Sequence, residues 1–206
     1  MKIFVVGANG QVGRLLVETL LDNDYQVTGG YRDPAQQAPE AGSQAFAAVH
    51  FDLTAPVAEL AAALAGHDAV IFAAGSQGKA LLSVDLDGAV KTQLAAEQAG
   101  VTRFIQLSSL NAESRANWPA SLHDYYIAKF YADEWLKTRT QLDYVIVQPA
   151  ALTNDEATGM ITIEPAGTAT ITRQDVASVL ARAVESDCHR ETIKLANGAV
   201  PIAQVL

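Results

Sequence analysis

Apolar residues along the chain fall into short runs, and between the runs they recur at intervals of three and four. The first run, residues 3–6, is bounded by Gly7 and has the length and composition of a buried strand. After Gly13, Leu15, Leu16, Val17, Leu20 and Leu21 return at helical spacing. The alternation then repeats. Residues 25–30 predict a second strand, 47–51 a short third, and 69–75 a fourth that runs into glycine. Residues 102–107 predict a fifth, and 144–147 a sixth stopped by Pro149. Helices are predicted over 56–65, closed by Gly66, over 84–99, closed by Gly100, and over 122–138. Residues 33–43 read as a loop broken by Pro34, Pro39 and Gly42. Beyond Pro149 the residues at 160–164 and 168–172 alternate like short strands, 175–184 carries an apolar helical stripe, and 191–195 suits a last strand. Regular alternation of strand and helix predicts an α/β fold, a doubly wound parallel sheet with helices on both faces.

A chain of 206 residues is long enough for one domain with a full core. We expect a single unit over 1–206, with 150–206 adding a small lobe on the substrate side. The formal net charge of −9 argues against nucleic acid and anionic membrane surfaces as partners. No apolar stretch is long enough to span a bilayer, and no leader is visible before Gly7. The single cysteine, Cys188, excludes an intrachain disulfide and fits a reducing compartment, so a cytoplasmic location is expected. His50, His67, His123 and His189 lack the spacing of metal ligands, and no metal is expected. Monomer and homodimer both remain open.

Ligands of such a sheet collect at the carboxyl ends of its strands. Here the first strand opens into Gly7, Asn9, Gly10, Gln11, Val12 and Gly13, followed by a helix. The open N–H groups of a helix start hold an anion, and glycines let a diphosphate approach the backbone. The other strand ends supply Arg32, then Asp52 and Leu53, then Ala73, Ala74 and Gly75. Leu107, Ser108 and Ser109 follow at the fifth, and Pro149 and Ala150 at the sixth. Small and polar residues thus share one edge, as a dinucleotide requires. An NAD-selective site carries a carboxylate at the end of the second strand. This chain has Gly30, Tyr31 and Arg32 there, and a guanidinium suits a 2′-phosphate. Arg14 is placed to add a second charge, so NADP (as NADPH) is the expected cofactor. Asp33 stands next to Arg32, and a pair between them would weaken that inference. Asp52 suits either an adenine edge or the turn before the helix at 56.

Tyr125 and Lys129 lie four apart on a predicted helix and share a face. An ammonium beside a phenol favours the phenolate, which fits Tyr125 to give a proton to a carbonyl receiving hydride. Ser109 is placed to hydrogen-bond the same oxygen. Tyr126, three before Lys129, competes with Tyr125 for the role. The loop carrying Asn111, Trp118 and Leu122 lies between Ser109 and Tyr125, and either packs locally or meets substrate.

On these residues the chain resembles the short-chain dehydrogenase/reductase superfamily, and within it the atypical, NmrA-like NAD(P)-binding group. The matching stretches are residues 7–13, 52–53, 73–75, 100–109, 125–129 with Ala132 and Asp133, 142–149, and 172–177. The resemblance implies a Rossmann-type fold, with Ser109, Tyr125 and Lys129 at the superfamily's catalytic positions. It also implies that Lys129 holds the nicotinamide ribose and that the Pro149 region lines the nicotinamide. The chain departs from the group's frequent Arg-Pro-Gly at Gln148 and Ala150. The expected function is an NADPH-dependent oxidoreductase acting on a small carbonyl-type acceptor. The alternatives are a non-catalytic NADP(H)-binding sensor or assembly protein and an NAD-dependent epimerase or dehydratase.

Overall fold

The computed structural model describes residues 1–36 and 44–205. Strand β1 (Lys2–Val6) has Ile3, Phe4, Val5 and Val6 all buried, so it needs cover on both faces and neighbours on both sides. It pairs in parallel with β2 (Gln26–Tyr31), which carries β3 (Phe46–His50) beyond it. On its other side lie β4 (Ala69–Phe72), β5 (Arg103–Leu107), β6 (Asp143–Pro149) and β10 (Glu191–Asn197), again all parallel. Two antiparallel strands, β8 (Met160–Ile163) and β11 (Val200–Pro201), extend that edge. Together they form one nine-stranded sheet in the order β11-β8-β10-β6-β5-β4-β1-β2-β3. Two short strands, β7 (Ala151–Thr153) and β9 (Thr170–Thr172), pair separately. The predicted doubly wound sheet is therefore present, and its direction of winding reverses between β1 and β4.

Alternate strand residues feed two cores. On one face Ile3, Val5, Ile71 and Ile105 meet Leu16, Val17 and Leu20 of α1 (Gln11–Asp22) and Val176, Val179 and Leu180 of α5 (Arg173–Arg182). On the other, Phe4, Phe72 and Phe104 meet α2 (Val57–Leu64), α3 (Asp87–Gln98) and α4 (His123–Arg139) through Leu60, Leu64, Ala95, Ala96 and Leu136. Helix α5 starts at residue 173, two before the apolar stripe. Thr172 caps it, its hydroxyl accepting from the Asp175 N–H at 3.0 Å and donating to the Asp175 carboxylate at 2.8 Å.

Other differences from the expected elements have local causes. β6 runs on to Pro149, which lacks an N–H, but its carbonyl still accepts from Leu110 at 2.9 Å. The helix expected from 84 begins instead as a π-helical turn over Leu81–Leu86 and becomes regular at Asp87. That turn points Asp85 inward, where it accepts from the Ser76 N–H at 3.1 Å. Pro34–Gln36 forms a 3-10 turn, and the expected breakers Pro39 and Gly42 lie outside the described residues. β7 and β11, three and two residues long, are too short to show a pattern.

At the amino ends of the strands, Arg103 reaches across to the chain after α5. Its guanidinium donates to Asp143 at 2.9 Å and to the carbonyls of Cys188, at 2.8 Å, and Ala183. An open cavity of about 670 Å³ lies there, lined in part by Met1, Asp68, Arg103, Ser186 and His189. It is at the opposite end of the sheet from the strand ends that carry the chemistry.

Candidate nicotinamide-nucleotide site

The turn from β1 into α1 is shaped by two glycines. Gly7 has φ of +84°, and a Cβ there would stand 2.6 Å from the Ala74 Cα. A Cβ on Gly13 would stand 2.1 Å from the Gly7 carbonyl oxygen. The helix start therefore packs straight onto the turn and onto the end of β4. Gly10 caps α1 without a side chain, which leaves the first-turn N–H groups of Gln11, Val12 and Gly13 with no intrahelical acceptor. A backbone-lined hollow of this shape, at the sheet's reversal point, fits the diphosphate of a dinucleotide. Val12 and Gly13 are buried, whereas Asn9, Gly10 and Gln11 are exposed. Arg14 turns back on the loop, its Nη2 donating to Asn9 Oδ1 at 2.5 Å and its Nε to the Asn9 carbonyl at 3.2 Å. It is engaged in holding the cradle.

Arg32 follows β2 and is exposed. Asp33 does not pair with it; the Asp33 carboxylate accepts from the Ala35 N–H at 3.0 Å. His50, opposite Tyr31 on β3, places Nδ1 2.9 Å from the Arg32 carbonyl. Asp52 forms a turn, its Oδ1 accepting from the N–H and hydroxyl of Thr54 at 2.9 and 2.8 Å. Those two bonds, helped by the charges of His50 and Arg32, hold its carboxyl below the usual range. Leu53, Ala73 and Ala74 are half-buried, and Gly75 is exposed beside them.

The ends of β5 and β6 are built from side chains. Ser108 is buried and donates to Asp133 Oδ2 at 2.6 Å, so its hydroxyl faces the interior. Ser109 points the other way, its hydroxyl 3.1 Å from the Tyr126 hydroxyl. Tyr126 in turn donates to the Leu110 carbonyl at 3.1 Å. Both functions of the Tyr126 hydroxyl are thus occupied, and the residue is buried. Tyr125 is half-buried, and its hydroxyl has no hydrogen-bond partner among the described residues. The Lys129 ammonium lies 5.7 Å from the centre of the Tyr125 ring and donates to the Leu107 carbonyl at 3.1 Å. Pro149 and Ala150 are buried behind Leu110, with the Ala150 N–H bonded to Leu195.

Ser108 was expected at the dinucleotide edge, whereas no role was expected for the carboxylate it meets beneath these residues. Asp133 accepts from Ser108, from Gln106 at 2.6 Å and from Gln148 at 3.2 Å. The signal was present as spacing: Asp133 is four after Lys129, and Gln106 is two before Ser108 on one strand face. Trp118 packs locally, its indole donating to the Ala112 carbonyl at 3.0 Å. Its ring contacts Tyr126 and Phe130, with the Arg115 guanidinium 4.9 Å above it. The four histidines form no metal-binding group among the described residues.

Fold and cradle together define a nicotinamide-dinucleotide-binding protein of the Rossmann type. The chain belongs to the NAD(P)H-binding family, whose model matches residues 7–187, in the NmrA-like atypical group of the short-chain dehydrogenase/reductase superfamily. It is 40% identical to a Bacillus subtilis (strain 168) protein named uncharacterized sugar epimerase YhfK, over 100% of this chain and 99% of that one. It is 37% identical to the Saccharomyces cerevisiae (strain ATCC 204508 / S288c) UPF0659 protein YMR090W, over 100% and 97%. The crystal structure of the oxidoreductase ylbE from Lactococcus lactis superposes with a TM-score of 0.94 at 43% identity, covering 99% of this chain and 94% of that one. No helix among the described residues is long and apolar enough to cross a membrane.

Proposed function

We propose that the protein is an NADPH-dependent oxidoreductase that reduces a small carbonyl-type acceptor, with residues 150–206 contributing the substrate-side lobe. When bound, the nicotinamide supplies the hydride. Tyr125 gives its phenolic proton to the acceptor oxygen as the carbonyl becomes an alcohol. Ser109 turns its hydroxyl proton from Tyr126 to that oxygen and orients it, while Tyr126 keeps its own proton on the Leu110 carbonyl. Lys129 favours the phenolate left on Tyr125 and holds the nicotinamide ribose. The backbone of residues 7–13 holds the diphosphate, Arg32 the 2′-phosphate, and Pro149 and Ala150 back the nicotinamide. The observation that carries the reading is the division of labour between adjacent tyrosines. Tyr126 is committed at both hydroxyl positions, whereas Tyr125 stands over Lys129 with its hydroxyl open.

The test is NADPH oxidation against a panel of aldehydes, ketones and quinones. Turnover should fall by about 100-fold or more in Tyr125→Phe with NADPH affinity retained. Equal turnover in that variant would remove Tyr125 from the reaction. The name carried by the Bacillus subtilis relative favours a second reading, an epimerase. That activity would interconvert sugars with no net consumption of NADPH, so the same assay separates the two.

A further inference from the structure

Lys129 is 5% exposed, and its ammonium has one neutral acceptor, the Leu107 carbonyl. No carboxylate of the described residues lies within 4 Å of it. Burial without a counter-charge drives a lysine to lose its proton. The role proposed above needs that proton kept. One turn along the same face of α4 stands Asp133, 2% exposed. Every hydrogen bond on its carboxylate is received. Ser108 and Gln106 donate from β5, and Gln148 from β6. Gln93 of α3 donates to the Gln106 carbonyl oxygen at 2.7 Å, which turns the Gln106 NH2 towards Asp133. Three donors and no acceptor are the surroundings of an anion. Burial pushes the Asp133 carboxyl above its usual value, and the three donors and the Lys129 charge offset only part of that. Glu113 and Lys194 pair at 2.7 Å beyond Gln148, and the buried Asp85 lies on the π-helical turn that packs against α4.

We infer that Asp133 is the buried counter-charge of Lys129, a positioning residue that keeps the lysine protonated and seats α4 on the ends of β5 and β6. The inference rests on the role proposed for Lys129. It predicts a property of the lysine that a purely structural aspartate would not govern.

The experiment is a pH titration of lysine 13Cε shifts in the wild type and in Asp133→Asn, with the Lys129 signal assigned by its loss in Lys129→Arg. The Lys129 midpoint should be lower in folded Asp133→Asn than in the wild type, because the variant removes the negative charge beside it. An unchanged midpoint overturns the inference. Should Asp133→Asn fail to fold, the wild type labelled at aspartate 13Cγ decides. An ionised Asp133 at pH 7 supports the inference, and a protonated one overturns it. Neither readout needs turnover. A Tyr125→Phe variant as active as the wild type would sink the proposed reaction and leave the lysine titration standing.

Discussion

Two regions of the same sheet edge are made of different materials. At the end of β1 the cradle is backbone. Gly7 and Gly13 are there because any Cβ would strike the turn or the end of β4, and Gly10 caps the helix with nothing but its chain. At the ends of β5 and β6 the site is side chain. Ser109, Tyr126, Tyr125 and Lys129 form an outer layer, with Gln93, Gln106, Ser108, Gln148 and Asp133 beneath. Backbone recognises what all dinucleotides share, because an N–H has the same geometry whatever residue bears it. Side chains differ in reach and chemistry, and they can be exchanged one at a time. Gly7 and Gly13 leave no room for a side chain, whereas the second region should respond in graded steps.

That contrast can be broken by experiment. The largest effect is expected for Gly13→Val, whose Cβ would fall on the Gly7 carbonyl oxygen. Overpacking there should destabilise the fold by about 1–3 kcal/mol and weaken nicotinamide-nucleotide binding roughly 100-fold or more. Thermal melting and fluorescence titration read both, and a variant that binds normally would show that the cradle is not rigid. Next is Arg32→Ala. Loss of a charge-assisted bond should weaken NADPH roughly 10–100-fold and leave NADH unchanged. Equal losses for both cofactors would take the 2′-phosphate away from Arg32. Tyr126→Phe should be milder. It removes a support for Ser109 worth about 1 kcal/mol, so turnover should drop several-fold with NADPH affinity intact. A collapse as deep as that of Tyr125→Phe would mean that the two tyrosines have been assigned the wrong way round.

The smallest effect lies away from both regions. The Tyr25 hydroxyl donates to Glu185 at 2.7 Å. Burial first, then the bond and charge of Glu185, push its phenol up to about 12. The neutral phenol is the form the fold prefers. Its contribution is therefore present below the ordinary value near 10 and lost as pH rises towards 12. Urea melts of Tyr25→Phe should show a flatter stability curve over that window and unchanged cofactor binding.

The same contrast explains what was legible in the sequence. The cradle could be read because glycine spacing is local and the flanking strand and helix carry their own periods. The six main strands and the late helix followed from the same patterns, with ends displaced by up to three residues, most at β4, which stops at Phe72 rather than Gly75. Which tyrosine faces the site could not be read. Tyr125 and Tyr126 are neighbours, and the rotation of α4 over the sheet decides between them. Asp133 was visible as part of the family-like stretch four after Lys129, but not as an acceptor, because its partners Gln106, Ser108 and Gln148 come from the ends of two strands. Asp85 was hidden for another reason: a π-helical turn shifts the register by which inward residues are counted.

The position of β6 has a consequence for synthesis. Its residues Val145 to Pro149 are buried, with β5 on one side and β10 on the other. β10 is made from residues 191–197, more than forty residues after β6. Until those residues have left the ribosome, β6 presents an unpaired apolar edge next to the Pro149 region, and a growing chain is exposed there to pairing with the wrong partner. The cradle at residues 7–13 is made well before it, but the open edge of β6 is sealed only when β10 arrives.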